Sequence, residues 1–243
     1  MPSSFKVLTA LLATALARPS PAPADGDPVR ILPWNWLFEI TALEGPGCPD
    51  VGPEGYGTRP TYGSNTVDGS EIYYWHFAYP AISLNVDTEN PEASIWCETT
   101  LKYTELSETS TDPADPAGYR LKLHKNGTEI IANYDLEEGV EATWTFTYDT
   151  DGDDKIVDTL TVAGPRSSDQ AFYDITPPAD KLVQWALPEC GTGVIKYRTE
   201  LSVKATKEGA KGTVTSDKVT WQGQEEHYGV QQGVSYDWDY CDA

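Results

Sequence analysis

Apolar and polar residues alternate with a period of two along most of this chain. The alternation is clearest at 95–103, 119–124, 142–148 and 195–204. In each run one face is apolar or aromatic and the other is mostly polar, which is typical of a strand with one buried and one wet face. Further strands are expected near 71–79, 81–87, 155–163, 181–187, 213–221 and 233–241. About ten short antiparallel strands predict an all-β protein, a jelly-roll-like β-sandwich.

Residues that favour turns separate these runs. Asp68-Gly69, Asn126-Gly127 and Asp151-Gly152 suit the backbone angles of tight turns, and an Asp/Pro-rich segment occupies 110–118. We therefore expect chain reversals at these positions. Asn126 also begins an Asn-Gly-Thr sequon, so we expect N-glycosylation there in a eukaryotic secreted protein.

The N-terminus predicts export. A short basic leader precedes an apolar run of about eleven residues, roughly half the length of a membrane-spanning helix. Ala15-Leu16-Ala17 then gives the small-x-small pattern that signal peptidase reads. We predict a signal peptide at 1–17, with cleavage after Ala17 as first choice and after Ala24 as second. A Pro/Ala-rich spacer and N-terminal segment at 18–38 would follow, and a single β-sandwich domain would occupy 39–243.

Four cysteines behind an export signal predict two disulfides, because an oxidising compartment leaves few free thiols. Three pairings are possible. We favour Cys48 with Cys97 and Cys190 with Cys241, since each pair closes a loop of about fifty residues, the length for which chain entropy predicts about 4 kcal/mol of stabilisation. A zinc site is the competing interpretation. It is disfavoured because the chain has no C-x-x-C pair and its three histidines lie in unrelated segments.

The net charge of the chain limits the classes of molecule that it is expected to bind. Asp and Glu total 38 against 17 Lys and Arg, a formal net charge of −21. Such a surface repels phosphate backbones and anionic lipid headgroups, which argues against nucleic-acid-binding and membrane-surface proteins. We expect a monomer outside the cell that does not insert into membranes.

The contexts of the cysteines carry one resemblance to a known family. The order Gly-Pro-Gly-Cys48-Pro, a strand cysteine, the segment Trp185 to Gly191 and an aromatic-rich end at Cys241 resembles the domain of unknown function 4360. Members are small secreted proteins, common in filamentous fungi and also found in bacteria. The resemblance covers roughly 39–241 and implies a β-sandwich with two disulfides. It implies no activity and no catalytic residues, because none is established for the family.

An acidic hairpin tip is the candidate metal site. Asp149, Asp151 and Asp153 match the opening of a calcium loop, in which alternate aspartates supply hard oxygen ligands. The match then fails, because Asp154 occupies the position of the turn glycine and Leu160 that of the bidentate glutamate. We expect no cofactor and at most a weak calcium site.

Aromatic residues are the candidate ligand-binding groups, since the chain has 14 Tyr and 8 Trp. Planar rings on a β-face stack on sugar rings, and the candidates of this kind are Trp34, Trp36, Tyr74 and Trp96. The competing interpretation is that most rings fill the core. In Tyr236-x-Trp238-x-Tyr240 all three rings share one face, which favours the core.

Catalysis is poorly supported by the sequence. Glycoside hydrolysis needs two carboxyl groups about 5 to 10 Å apart, and no pair is singled out by spacing. Glu98, Glu200, Asp237 and Asp239 are the strand acids worth naming, and we favour solvated strand faces over catalysis as their explanation. No G-x-S-x-G motif occurs, and we predict no catalytic residue.

The leading hypothesis is an extracellular binding protein for glycans or proteins of a cell wall or host surface. A carbohydrate-active hydrolase with two acidic residues is the first alternative, and a structural secreted protein is the second. A binder needs a strip of exposed Trp or Tyr, whereas an enzyme needs facing carboxyl groups, at least one with a raised pKa.

Overall fold

The computed structural model describes residues 36–49, 57–66, 72–106, 118–150, 155–178 and 180–241. Within these ranges the side chains of 62–66, 72, 73 and 221 are left undescribed. The predicted signal peptide and Trp34 lie outside the described residues, as does the spacer up to residue 35.

The described residues form fifteen strands and no helix. They are β1 (Trp36–Glu44), β2 (Arg59–Thr66), β3 (Ile72–Tyr79), β4 (Leu84–Val86), β5 (Glu92–Glu105), β6 (Tyr119–Leu136), β7 (Val140–Asp149), β8 (Lys155–Ala163), β9 (Arg166–Ile175), β10 (Trp185–Ala186), β11 (Thr192–Ala205), β12 (Gly212–Thr215), β13 (Lys218–Trp221), β14 (Gln224–His227) and β15 (Val230–Tyr240). Accordingly, no helix in this part of the chain is long and apolar enough to cross a membrane.

Two antiparallel sheets carry most of these strands. The five-stranded sheet has the order β1-β5-β11-β7-β8, and the eight-stranded sheet has the order β2-β3-β15-β6-β12-β4 with β9 and β10 also paired to β6. Strands β13 and β14 form a separate hairpin. The all-β prediction is confirmed, and the strands beyond the ten expected include several of only two to four residues.

The inner faces of the sheets pack together as a sandwich. The hydroxyl groups of Tyr79 on β3 and Tyr197 on β11 lie 2.7 Å apart, and Gln232 on β15 accepts a hydrogen bond from Thr199 on β11. Trp144, on β7, is fully buried and its Nε1 donates to the Tyr134 hydroxyl at 2.8 Å. The alternation therefore places its apolar side inward on both sheets.

Both predicted disulfides are present. Cys48 is bonded to Cys97 with a Cα–Cα distance of 5.2 Å, and Cys190 to Cys241 with 6.1 Å. The first bond ties the turn after β1 to a central strand of the five-stranded sheet. The second joins the segment before β11 to the end of β15, and therefore connects the middle strands of the two sheets.

The predicted turn at Asn126-Gly127 is wrong. Both residues lie inside β6, an 18-residue strand that continues through them. His124 and Gly127 adopt φ angles of 65° and 84°, and the pairing of β6 with β15 shifts register between Val234 and Tyr236. The dipeptide therefore lies in a bulge of one strand, because β6 uses residues 124–127 where β15 has Ser235 alone, and the two strands pair again on both sides.

Candidate binding groove and carboxyl row

The outer face of the eight-stranded sheet carries a row of ionisable side chains. Gly233 on β15 pairs with His76 on β3 and with Glu129 on β6, and Glu129 pairs with Asp174 on β9. Four neighbouring strands therefore bring these residues side by side, although they are far apart in the sequence. We call His76, Glu129 and Asp174 the carboxyl row.

A glycine makes the first contact of the row possible. His76 and Glu129 lie on strands separated by β15, yet Nε2 of His76 is 2.5 Å from Oε1 of Glu129. A Cβ atom on Gly233 would lie 2.8 Å from that Nε2 and 3.1 Å from Cβ of Glu129. Any side chain at 233 would therefore separate the imidazole from the carboxylate to which it donates.

The second pair of the row consists of two carboxyl groups. Glu129 on β6 and Asp174 on β9 pair directly across the two antiparallel strands, so their carboxyl groups are neighbours on one face. Burial raises the pKa of Asp174 above its usual value of 3.8, and the charge and hydrogen bond of Glu129 raise it further. Tyr74 lies near them, and burial, then the charges of Asp174, Glu129 and Asp158, raise its pKa as well.

Solvent access increases along the row. The His76 side chain is fully enclosed, that of Glu129 is 15% exposed, and Asp174 is an exposed residue. A molecule approaching from solvent would therefore meet the two carboxyl groups first, with the imidazole behind Glu129.

An open groove lies beside the row on the same face. Its volume is about 280 Å³, and its lining combines amide and carboxyl groups with the apolar side chains of Ile131 and Val219. Gln231 and Ile131 line the groove, and they stand two residues from Gly233 and Glu129 on the same strands and pair with each other. The groove is therefore one residue pair away from the carboxyl row.

Polar side chains in the groove hold one another in place. Nδ2 of Asn133 donates to Oδ1 of Asp217 at 2.8 Å, and the backbone N–H of Gln170 donates to Oδ1 of Asn133 at 2.7 Å. The Gln170 amide also donates to Asp217. These contacts join β6, β9 and the segment before β13, so the donors and acceptors of the groove are fixed before any ligand arrives. We call Asn133, Gln170 and Asp217 the polar triad.

The outer face of the five-stranded sheet has a different character. The acids named from the sequence on this face are each paired with a cation, Glu98 with Lys196 at 2.7 Å and Glu200 with Arg198 at 3.0 Å. On the other sheet Asp237 pairs with Lys125 at 2.9 Å and Asp239 with Lys122 at 3.0 Å. The structure brings no two of these four acids together as a carboxyl pair.

The candidate aromatic residues are partly or wholly covered. Trp36 packs edge-on against Trp75 at 4.6 Å between ring centroids and also contacts Phe38, so it closes one end of the core. Trp96 lies beneath the guanidinium of Arg198, 4.0 Å from its ring centroid, with Gly45 close against its edge. Tyr74 is buried beside the carboxyl row. Their role as sugar platforms stays a prediction.

The three aromatic residues of the Tyr236-x-Trp238-x-Tyr240 segment differ in solvent exposure. Tyr236 and Trp238 are each 1% exposed and belong to the core, as predicted, whereas Tyr240 is 58% exposed. It lies near the end of β15, where its ring contacts Tyr119 at 5.2 Å. Among the described side chains, large exposed aromatic rings are confined to Phe172 and Tyr240. The exposed Trp or Tyr strip expected of a glycan binder is therefore not found in the described part of the chain, so a binding site there would have to rest on polar groups.

The calcium hypothesis stays a prediction. Asp149 is described, and its Oδ1 forms an ion pair with Nζ of Lys155 at 2.8 Å. Asp151 and Asp153 lie outside the described residues. The glycosylation site also stays a prediction, although the Nδ2 atom of Asn126, to which a glycan would attach, is enclosed by its surroundings.

A second polar cluster lies inside the sandwich. Nε2 of His124 is 2.8 Å from Oδ2 of Asp158, which also accepts a hydrogen bond from Thr128 at 2.6 Å. Thr128 contacts the Tyr148 hydroxyl at 2.6 Å, and burial raises the pKa of Tyr148. These residues are fully enclosed, so they specify how the sheets pack and offer no surface to a ligand.

Comparisons with known proteins add little to this geometry. No family model and no curated protein matches the chain. Among solved structures, the carbohydrate-binding module TmCBM61 in complex with beta-1,4-galactotriose matches with 15% identity over 74% of this chain and 83% of its own, at a TM-score of 0.20. The enzymatically active domain of bacteriophage CBA120 tailspike protein 4 matches with 13% identity over 85% of this chain and 20% of its own, also at 0.20. Scores this low support no shared fold or function.

The sequence interpretation missed both the polar triad and the carboxyl row. One signal was available: Gly233 interrupts an otherwise strand-like segment, and a glycine inside a strand often marks a close approach by another group.

Proposed function

We propose that this protein binds a glycan outside the cell and that the groove beside the carboxyl row is the binding site. The observation that carries this proposal is the polar triad. Sugar hydroxyls both donate and accept hydrogen bonds, and the amide and carboxyl groups of Asn133, Gln170 and Asp217 offer both functions in fixed positions. Ligand binding is favoured where such groups are already oriented, since less freedom is lost on association.

Charge and shape support a neutral ligand. The chain has a net charge of −21, so an anionic polymer would be repelled over most of the surface. The half-buried side chain of Val219, with the ring of Tyr228, offers contacts to the C–H faces of a sugar. The two disulfides suit an oxidising, extracellular environment, which supports the proposed export.

The test is a glycan array with the protein secreted by a host that forms disulfides, followed by titration of the best oligosaccharide. Asn133→Ala removes one member of the polar triad and should weaken binding at least about tenfold, the equivalent of about 1.4 kcal/mol. Thr145→Ala, on the outer face of the other sheet, is the matched control and should bind as the wild type does.

Two results would contradict the proposal. One is the absence of binding to any glycan, including the case in which the groove captures only peptides. The other is loss of binding in Trp96→Ala with full binding in Asn133→Ala, which would move the site to the five-stranded sheet.

A chelator in the same titration tests the acidic hairpin tip. We propose that glycan binding needs no metal ion, because Asp149 is already neutralised by Lys155. Affinity should therefore be equal with calcium and with the chelator, and a loss of binding on chelation would assign calcium a role.

We further propose that the chain is a member of the domain of unknown function 4360. The confirmed disulfides and all-β fold agree with what that resemblance implies.

A further inference from the structure

Asp217 differs from the other acids of the outer faces, because neutral groups hold it in place of a cation. The four strand acids named from the sequence are each paired with Lys or Arg. The carboxyl oxygens of Asp217 instead accept from amides, Oδ1 from Nδ2 of Asn133 at 2.8 Å and Oδ2 from Nε2 of Gln170. The adjacent Lys218 is paired with Glu225 at 3.7 Å. Among the described residues no cation is paired with Asp217, so its charge is available to a ligand.

The hydrogen bonds within the polar triad leave both acceptors and donors unused. A carboxylate oxygen can accept two hydrogen bonds, and each oxygen of Asp217 accepts one from the triad. An amide nitrogen has two hydrogens, and Asn133 and Gln170 each use one of them on Asp217. All three residues line the groove. The groove therefore offers two carboxylate lone pairs beside two amide N–H groups.

This combination distinguishes a sugar from a cation as the ligand. Guanidinium and ammonium groups bind carboxylates, but they have no acceptor for the two amide N–H groups. A hydroxyl group donates and accepts at once, so two neighbouring hydroxyls of a sugar ring satisfy the carboxylate oxygens and the amides together. Hydrogen bonds to an ionised carboxylate are about twice as strong as neutral ones, so we expect Asp217 to contribute most to this recognition.

The backbone at Gln170 adopts an unfavourable conformation in this arrangement. Its φ angle is 46°, which residues with a side chain rarely adopt, and it lies in the irregularity of β9 opposite Asn133. In this conformation its backbone N–H donates to Asn133 at 2.7 Å while its side-chain amide donates to Asp217. Strain of this kind persists where surrounding contacts enforce it, and it is concentrated at ligand-binding and active sites.

An additional acceptor in the groove has no partner. Gln231 lines the groove, and its Oε1 is enclosed and makes no hydrogen bond to the described residues. An enclosed acceptor without a partner destabilises the free protein. A hydroxyl of a bound sugar would remove that cost once the terminal amide of Gln231 turns toward it.

We propose that Asp217 is the specificity-determining residue of the groove and that it binds two neighbouring hydroxyl groups of one sugar ring. This inference rests on the proposed function and names the ligand class of that site, a neutral glycan whose neighbouring ring hydroxyls are unsubstituted. Val219 and the ring of Tyr228 line the same groove and contact the C–H face of that sugar. A glycan with methyl or acetyl groups on both hydroxyls cannot donate to Asp217 and is excluded.

The test compares free and blocked hydroxyls on the same glycan backbone. The probes are oligosaccharides of β-1,4-linked xylose, glucose and mannose, whose rings have free hydroxyls on C2 and C3, and the same oligosaccharides methylated at both positions. The secreted wild-type protein should bind at least one free oligosaccharide. Methylation should weaken that binding at least about 100-fold, because two hydrogen bonds to a charged group are lost. This comparison does not depend on the folding of any variant.

A matched pair of variants assigns the effect to one carboxylate. Asp217→Asn keeps the size of the side chain and removes its charge, so it should weaken binding of the free oligosaccharide about 10- to 100-fold. Asp135→Asn makes the same change at an exposed acid of β6 outside the groove lining, and it should bind as the wild type does. Equal losses in the two variants would mean that net charge, and not Asp217, controls binding.

The outcomes separate this inference from the proposed function. Equal binding of free and methylated oligosaccharides, or full binding by Asp217→Asn, would overturn the role of Asp217 and leave the glycan site in place. Binding to other glycans of the array, but to none of the free oligosaccharides, would overturn the ligand class alone. Binding of an arginine-containing peptide that depends on Asp217, with no binding to any glycan, would overturn the proposed function as well.

Discussion

Acids on the outer faces of both sheets pair with cations, but the eight-stranded sheet also places two acids opposite each other. On the five-stranded sheet, Glu98 and Glu200 each face a cation, and threonines fill much of the remaining surface. On the eight-stranded sheet, Glu129 faces Asp174 across a strand pair, so like charges are placed together.

The difference agrees with the proposal that the binding site lies on the eight-stranded sheet. Opposite charges on neighbouring strands stabilise a sheet, whereas like charges directly opposite destabilise it. The eight-stranded sheet offsets part of that cost with the contact between His76 and Glu129, for which Gly233 leaves room. An arrangement that costs stability and adjoins a groove is the usual sign of a functional site.

The strongest test of this contrast is a substitution by alanine on each face. Gly233→Ala would place a Cβ 2.8 Å from Nε2 of His76, and overpacking of this kind typically costs about 1–3 kcal/mol of unfolding free energy. Thr145→Ala, on the five-stranded sheet, should change the unfolding free energy by less than about 0.5 kcal/mol. Denaturant unfolding of both variants measures the difference. Equal stability would mean that His76 and Glu129 shift to accommodate the added methyl group without cost.

A smaller loss of unfolding free energy is expected at Arg198, on the outer face of the five-stranded sheet. Arg198 lies over the Trp96 ring at 4.0 Å and pairs with Glu200, so Arg198→Ala should cost about 0.5–1 kcal/mol. Arg198→Lys keeps the charge and loses the planar contact. Its unfolding free energy should therefore lie between those of the wild type and Arg198→Ala. If Arg198→Ala costs nothing, the Trp96 ring is held by its packing against Gly45 alone.

The smallest effect is a change in the pH dependence of stability. Folded Asp174 keeps its proton at pH values where the unfolded chain has lost it, because its pKa is raised above 3.8. Its contribution to the unfolding free energy is therefore full below that unfolded value and declines as the pH rises through the raised folded pKa.

The matching measurement is thermal unfolding between about pH 4 and about pH 7. Asp174→Asn removes the titrating group, so it should lose less stability than the wild type as the pH rises. Glu129→Gln should act in the same direction, since the Glu129 charge helps to raise the pKa. A steeper decline in Asp174→Asn would contradict the assigned direction, and Thr145→Ala should keep the wild-type slope.

Local signals predicted the sheets well. The alternation in β5, β7 and β11 follows each strand's own side chains, so a single pass along the sequence finds their inner and outer faces. Tyr236 and Trp238 were assigned to the core for the same reason. The disulfide pairing was chosen from loop length, which depends only on spacing along the chain.

The features that sequence reasoning predicted wrongly or missed depend on contacts between residues that are distant in the sequence. Asn126-Gly127 has the composition of a turn, but β6 pairs with β15 on both sides of it, so the chain forms a bulge and does not reverse. The carboxyl row joins β3, β6 and β9 through a fourth strand, and only the sheet order reveals that His76, Glu129 and Asp174 are neighbours. No spacing rule connects residues whose strands are so widely separated along the chain.

The bond between Cys190 and Cys241 has a mechanical consequence. Because it joins the segment before β11 to the end of β15, tension applied to the C-terminus is passed directly to the central strands of both sheets. The load therefore reaches two strands while that bond is intact and one strand after its reduction.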